Sequence, residues 1–121
     1  MNVGQFVTQP GDRLDLLDAK LFKKMKKGEF VTGKMLACRQ VKSPKFHGLA
    51  MDFKNGKRKF SFLARFDRFD IGALVMQGDS DETDDWLGNT FKFVTNKSSQ
   101  GQTFVNVWNP KSKKASNARK K

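Results

Sequence analysis

The densest run of reactive side chains lies between Gly78 and Trp86, where Asp79, Asp81, Glu82, Asp84 and Asp85 place five carboxylates. Oxygen ligands at that density suit a divalent cation. Their spacing does not follow an EF-hand loop, and His47 is the only histidine, so no distant acid–histidine pair completes a nuclease centre. Thr83-Asp84-Asp85 ahead of Trp86 reads more simply as turn chemistry. The side-chain oxygens accept backbone N–H bonds while Trp86 packs underneath. No acid and base stand at a defined separation, so the chain is expected to be non-enzymatic, without catalytic residues, metal or cofactor.

The rest of the chain has the opposite sign. It carries 24 Lys and Arg against 12 Asp and Glu, for a net charge of +12. Such a protein gathers polyanions by counterion release, and nucleic acid is the commonest polyanion in a cell. The sharpest cationic cluster is Lys54, Lys57, Arg58 and Lys59 around Asn55-Gly56, with no acid to balance it. Four cations on one tip suit phosphates, although a solvated tip made basic for solubility is the plainer alternative. Arg39, Arg65 and Lys92, on neighbouring strand patterns, are candidates to assist.

Twelve Phe and two Trp with no Tyr give the aromatic set. Single strands bind by stacking bases on such rings. Phe60 with Phe62, and Phe91 with Phe93, recur at period two and read as core. Aromatics flanked by charge are better platforms: Phe46 between Lys45 and His47, Phe66 and Phe69 among Arg65, Asp67, Arg68 and Asp70, and Trp108 beside Asn109. Phe46 and Trp108 are the chosen stacking candidates.

These residues need elements to hold them. After a loose lead-in over 1–10, Leu14, Leu17, Leu21, Phe22 and Met25 recur at helical spacing, with Asp12 as N-cap and Gly28 as the stop. From Phe30 the period becomes two, predicting a strand to Val41 with a bulge or bend at Gly33. Strands follow over Phe46–Phe53 and from Lys59 to about Phe66, joined by the Asn55-Gly56 hairpin signal. Phe69, Ile71, Leu74 and Val75 predict a short helix within Asp67–Gln77. Two more strands start near Asn89 and at Thr103, the last ending at Trp108. Cys38, the only cysteine, excludes an internal disulfide and sits in the first strand as a buried thiol.

Three strands, a short helix and two strands predict a mainly β fold, a five-stranded OB-like Greek-key barrel. The expected organisation is a lead-in and helix over 1–28, the barrel over 29–110 and a disordered basic tail over 111–121. That tail has six Lys or Arg and no acid. No apolar run approaches the length of a membrane span and no signal-like start is present, so a cytoplasmic protein is expected.

The run Gly78-Asp79 with Thr83-Asp84-Asp85-Trp86-Leu87-Gly88 resembles a family of small phage proteins carrying a Gly-Asp-Asp-Thr-Asp-Asp-Trp-Ile-Gly-like motif. Here Ser80-Asp81-Glu82 lengthens the acidic loop. The resemblance implies a phage-encoded OB-like domain in the host cytoplasm, serving replication or recombination and meeting proteins of those processes.

The expected function is single-stranded DNA binding with weak sequence preference. RNA remains open, because the distinction depends on contacts to the 2′-hydroxyl. Self-association would lengthen the groove. The alternative is a protein-interaction module, an inhibitor or adaptor of a host or phage complex, working through the acidic run or the N-terminal helix.

Overall fold

The computed structural model describes residues 1–8, 11–15, 20–67 and 70–113. The fold is mainly β. Six strands form one antiparallel sheet in the order β1-β6-β5-β2-β3-β4. They are β1 (Arg13–Leu14), β2 (Phe30–Ser43), β3 (Phe46–Asn55), β4 (Arg58–Arg65), β5 (Thr90–Lys97) and β6 (Thr103–Trp108). Helix α1 is Lys20–Lys23, and α2 (Asp70–Gly78) lies between β4 and β5.

Two expectations are corrected here. The sheet is open and six-stranded rather than a closed five-stranded OB barrel: β6 pairs with β5 on one side and with β1 on the other. The added strand comes from the start of the expected N-terminal helix. Leu14 is fully buried opposite Val105, and Asp12, expected as the helix N-cap, instead accepts the Val107 N–H on its backbone carbonyl. Long-range pairing overrides a local helical period here. Leu17 lies outside the described residues.

The lead-in is also packed. Val3 is fully buried and donates its N–H to the Asp81 carbonyl, and Asn2 forms a β-bridge with Glu82. At the other end, order continues past Lys111. Ser112 is buried and its hydroxyl bonds the Met76 carbonyl at 2.8 Å. Residues 114–121 lie outside the described set.

Strand β2 organises the sheet. Its first part, Phe30–Lys34, pairs with β5, while Lys34 to Ser43 pairs with β3. The register shifts between Met35 and Ala37, so the bulge falls at Leu36 rather than at Gly33. An extra residue reverses which side chains face the core. Val31 and Met35 point inward before the bulge, and Cys38, opposite the buried Met51, points inward after it.

The inner face is a phenylalanine core. Phe53 lies 5.0–6.3 Å, ring centre to ring centre, from Phe60, Phe62, Phe91 and Phe93. Phe60 stacks on Phe53, Phe62 is tilted to it, and Phe91 and Phe93 meet it edge-on, arrangements that suit the aromatic quadrupole. Phe22 and Trp86 join the core with 1% and 0% of their surface exposed. No helix among the described residues is long and apolar enough to cross a membrane.

Candidate functional site

The acidic run is built into the fold as a clasp. Thr83–Trp86 forms a 3₁₀ turn, and the buried Trp86 donates its indole N–H to the Ser80 carbonyl at 2.8 Å. Gly78 ends α2 against the pyrrole ring of that indole, where a Cβ would collide with Trp86 Cδ1 and Nε1. Three of the carboxylates accept bonds from their own chain. Asp79 takes the Ser112 hydroxyl and the Lys113 N–H, Asp85 takes the Ser80 hydroxyl, and Glu82 takes Asn2 Nδ2 and the Met1 amine. Among the described residues, no three His, Cys, Asp or Glu side chains gather where they could hold a metal ion.

The cations are arranged differently. On the face of the sheet turned away from the core, Lys34 stands opposite Lys54, and Lys54 opposite Lys59. Three exposed lysines thus form one row across β2, β3 and β4. Directly paired like charges destabilise a sheet. Among the described residues none of the three has an ion-pair partner. Lys57 and Arg58, both exposed, lie at the hairpin tip that ends this row, where Asn55 pairs with Arg58.

Aromatic side chains flank the row on the same face. Trp108 stands opposite Lys92, and Lys92 opposite Thr32. The Lys92 Nζ lies 4.2 Å from the centre of the Phe30 ring and 5.5 Å from that of Trp108. Phe30 is 57% exposed and Trp108 39%, which is unusual for large apolar side chains outside an interface. The cation holds both rings by cation–π attraction and sits between them. From Trp108 on β6 to Lys59 on β4 the path crosses four strand spacings, about 19 Å.

The other expected site residues are set apart. Arg39 reaches Asp52 Oδ2 at 3.2 Å, and Arg65 reaches Asp67 Oδ1 at 3.0 Å, so both guanidinium groups already have carboxylate partners. Phe46 is half-buried, with its ring over Gly48, and lies eight residues along β3 from Lys54, about 27 Å. Phe66 is buried and stacks on Phe6 at 3.9 Å, so it offers no free face. Phe69 lies outside the described residues. Burial pushes the Cys38 thiol up to about 11, with Asp84 adding to the rise and the N-terminal amine and Arg39 opposing it. It is therefore a thiol rather than a nucleophilic thiolate at neutral pH.

Sequence reasoning missed Lys34 and Phe30. Alternation carried a signal for both, because Val31 and Met35 facing the core put Phe30, Thr32 and Lys34 on the opposite side. Comparison with protein-family models, with curated proteins and with solved structures finds no match.

Proposed function

We propose that this protein binds single-stranded nucleic acid, DNA in the first instance, across the outer face of its sheet and without catalysing a reaction. The observation that carries this reading is the row Lys34–Lys54–Lys59 lying beside the Phe30–Lys92–Trp108 stack. Phosphates engage lysines that have no ion-pair partner among the described residues, and bases stack on exposed rings. These are the two components of sequence-tolerant single-strand binding. At a stacked rise of about 3.4 Å per nucleotide, a 19 Å path accommodates about five or six nucleotides. Lys57 extends the cationic track at the tip, whereas Arg58 alternates with Lys59 and turns to the other side of the sheet, beside Leu21, Met25 and Val31. Arg39, Arg65 and Phe46 are secondary in this reading, the first two because of their carboxylate partners and the third because of its distance.

The sheet is read as a barrel-like relative of the OB fold, with β2 shared between β3 and β5 and a helix between β4 and β5. A phage replication or recombination setting rests on the Thr83–Gly88 motif resemblance. The alternative is a protein-interaction module working through the acidic run or the N-terminal helix; the bonds that Asp79, Glu82 and Asp85 make within the chain favour the nucleic-acid reading over it.

The test is intrinsic tryptophan fluorescence during titration with a single-stranded oligonucleotide and with its duplex, at low and moderate salt. Trp86 is fully buried, so a change on binding reports Trp108. Quenching by the single strand that persists at moderate salt is expected. Equal binding of both forms that vanishes with salt would reduce the protein to a basic surface without base contacts.

A further inference from the structure

Beside Trp108 the outer face is not flat. A cleft of about 340 Å³ opens there, lined by Trp108 and Pro110 from the end of β6, by Asn89, Thr90 and Lys92 from the start of β5, and by Thr32 of β2. This volume is at the lower end of the range of about 300–1,000 Å³ usual for small-molecule sites, a size for one nucleoside rather than a peptide segment.

Both walls are fixed by bonds unrelated to any ligand. On one side the Gly88 N–H donates to the Met35 carbonyl and the Met35 N–H to the Asn89 carbonyl, which straps the rim to β2. On the other, the Asn109 N–H donates to Gln77 Oε1 at 2.9 Å and its Nδ2 to the Gln77 carbonyl at 3.0 Å. The Ser112 hydroxyl extends that attachment to α2. The cleft is preformed, so little ordering cost attends its filling.

Its chemistry is selective. Asn109 has its amide and carbonyl oxygen committed, the latter to the Lys111 N–H, and Asn89 Nδ2 is held by the Asp85 carbonyl. Among the described residues the Thr90 hydroxyl and Asn89 Oδ1 have no bonding partner, and they can meet the edge of a base whose face lies on Trp108. Lys34 passes the rim, its Cε 4.0 Å from where a Cβ of Gly88 would be, so the cleft is the end of the lysine row. Lys92 and Lys111 supply positive charge for the adjoining phosphate.

We infer that this cleft receives a single base of the bound strand, turned out of the stack onto Trp108 and read at its edge by Thr90 and Asn89. The inference rests on the single-strand reading above and adds to it a base preference at one position. Uniform stacking alone gives only modest preferences. An edge-reading position discriminates by about fivefold or more.

Titration of the full chain with dA12, dC12 and dT12 at fixed salt, followed by Trp108 quenching, tests this. One homopolymer is expected to bind at least about fivefold better than the weakest. In Thr90→Val that ratio should fall below about twofold with the salt dependence unchanged, while Thr90→Ser, which keeps the hydroxyl, retains it. Circular dichroism melting of each variant confirms an intact fold. Binding of all three within twofold, still dependent on the lysine row, would overturn the cleft assignment and leave the single-strand reading standing. A base preference that survives Thr90→Val would equally overturn it, since stacking alone would then account for the preference. No binding of any oligonucleotide would remove both.

Discussion

The molecule holds two clusters of like charge, and they are treated in opposite ways. The acidic run from Asp79 to Asp85 spends its side chains at home: Asp79, Glu82 and Asp85 tie the segment around Ser112, the N-terminus and Ser80 to one loop. The Lys34–Lys54–Lys59 row spends nothing among the described residues and bears the repulsion of stacked ammonium groups. Density of charge alone therefore says little about function. What separates the two is whether the fold already supplies the counter-groups: it does for Asp79, Glu82 and Asp85, and among the described residues for none of the three lysines.

The strongest way to break this contrast is to remove the row. Lys34→Ala, Lys54→Ala and Lys59→Ala together should weaken oligonucleotide binding about a hundredfold at 0.1 M salt and make the log–log salt slope shallower by about 2, as loss of three phosphate contacts requires. Fluorescence anisotropy across a salt series measures both. A slope that does not change would show that phosphates bind elsewhere.

Next in size is Trp108→Leu. It should cost about 1–3 kcal/mol of binding with the salt slope intact, because stacking involves no counterion release. A parallel drop in slope would mean that the ring only props Lys92.

On the acidic side, Gly78→Ala places a methyl into the Trp86 ring and should destabilise the fold by about 1–3 kcal/mol. Thermal melting would register this, while the folded protein binds oligonucleotide normally. An unaltered melting temperature would contradict the clasp geometry.

The smallest effect sharpens the map. Phe46→Leu combined with Arg65→Gln should change affinity by less than about twofold, since neither side chain lies on the track and exposed ion pairs contribute about 1 kcal/mol or less to stability. A tenfold loss would move the interface to the far end of β3.

Much of this was legible in the residues. Period-two runs gave β3, β4, β5 and β6 to within two residues, Asn55-Gly56 gave the hairpin, and the Phe60, Phe62, Phe91 and Phe93 stripes gave the core. Strand β1 was hidden because Leu14 fits a helical period, and only pairing with a strand some ninety residues away makes it extended. The lysine row was hidden for a subtler reason. Alternation alone turns Lys34 outward, but it stands opposite Lys54 only because the extra residue of the bulge at Leu36 shifts the β2–β3 register by one. No residue type marks that bulge, and the glycine that suggests one, Gly33, instead leaves room for the Phe60 ring. The cleft could not be foreseen at all, since its walls come from three separate stretches of chain.

The pairing of β1 with β6 also bears on the order in which the chain acquires its structure. The β3–β4 hairpin closes a two-residue loop, whereas Arg13–Leu14 must find Val105–Asn106 across almost the whole chain. Loop-closure entropy and contact order make the first encounter fast and the second slow. Refolding should therefore pass from the hairpin outward, with Leu14 docking late. In pulse-labelled hydrogen exchange, Phe53 is expected to gain protection before Leu14, and simultaneous protection would indicate a single concerted step.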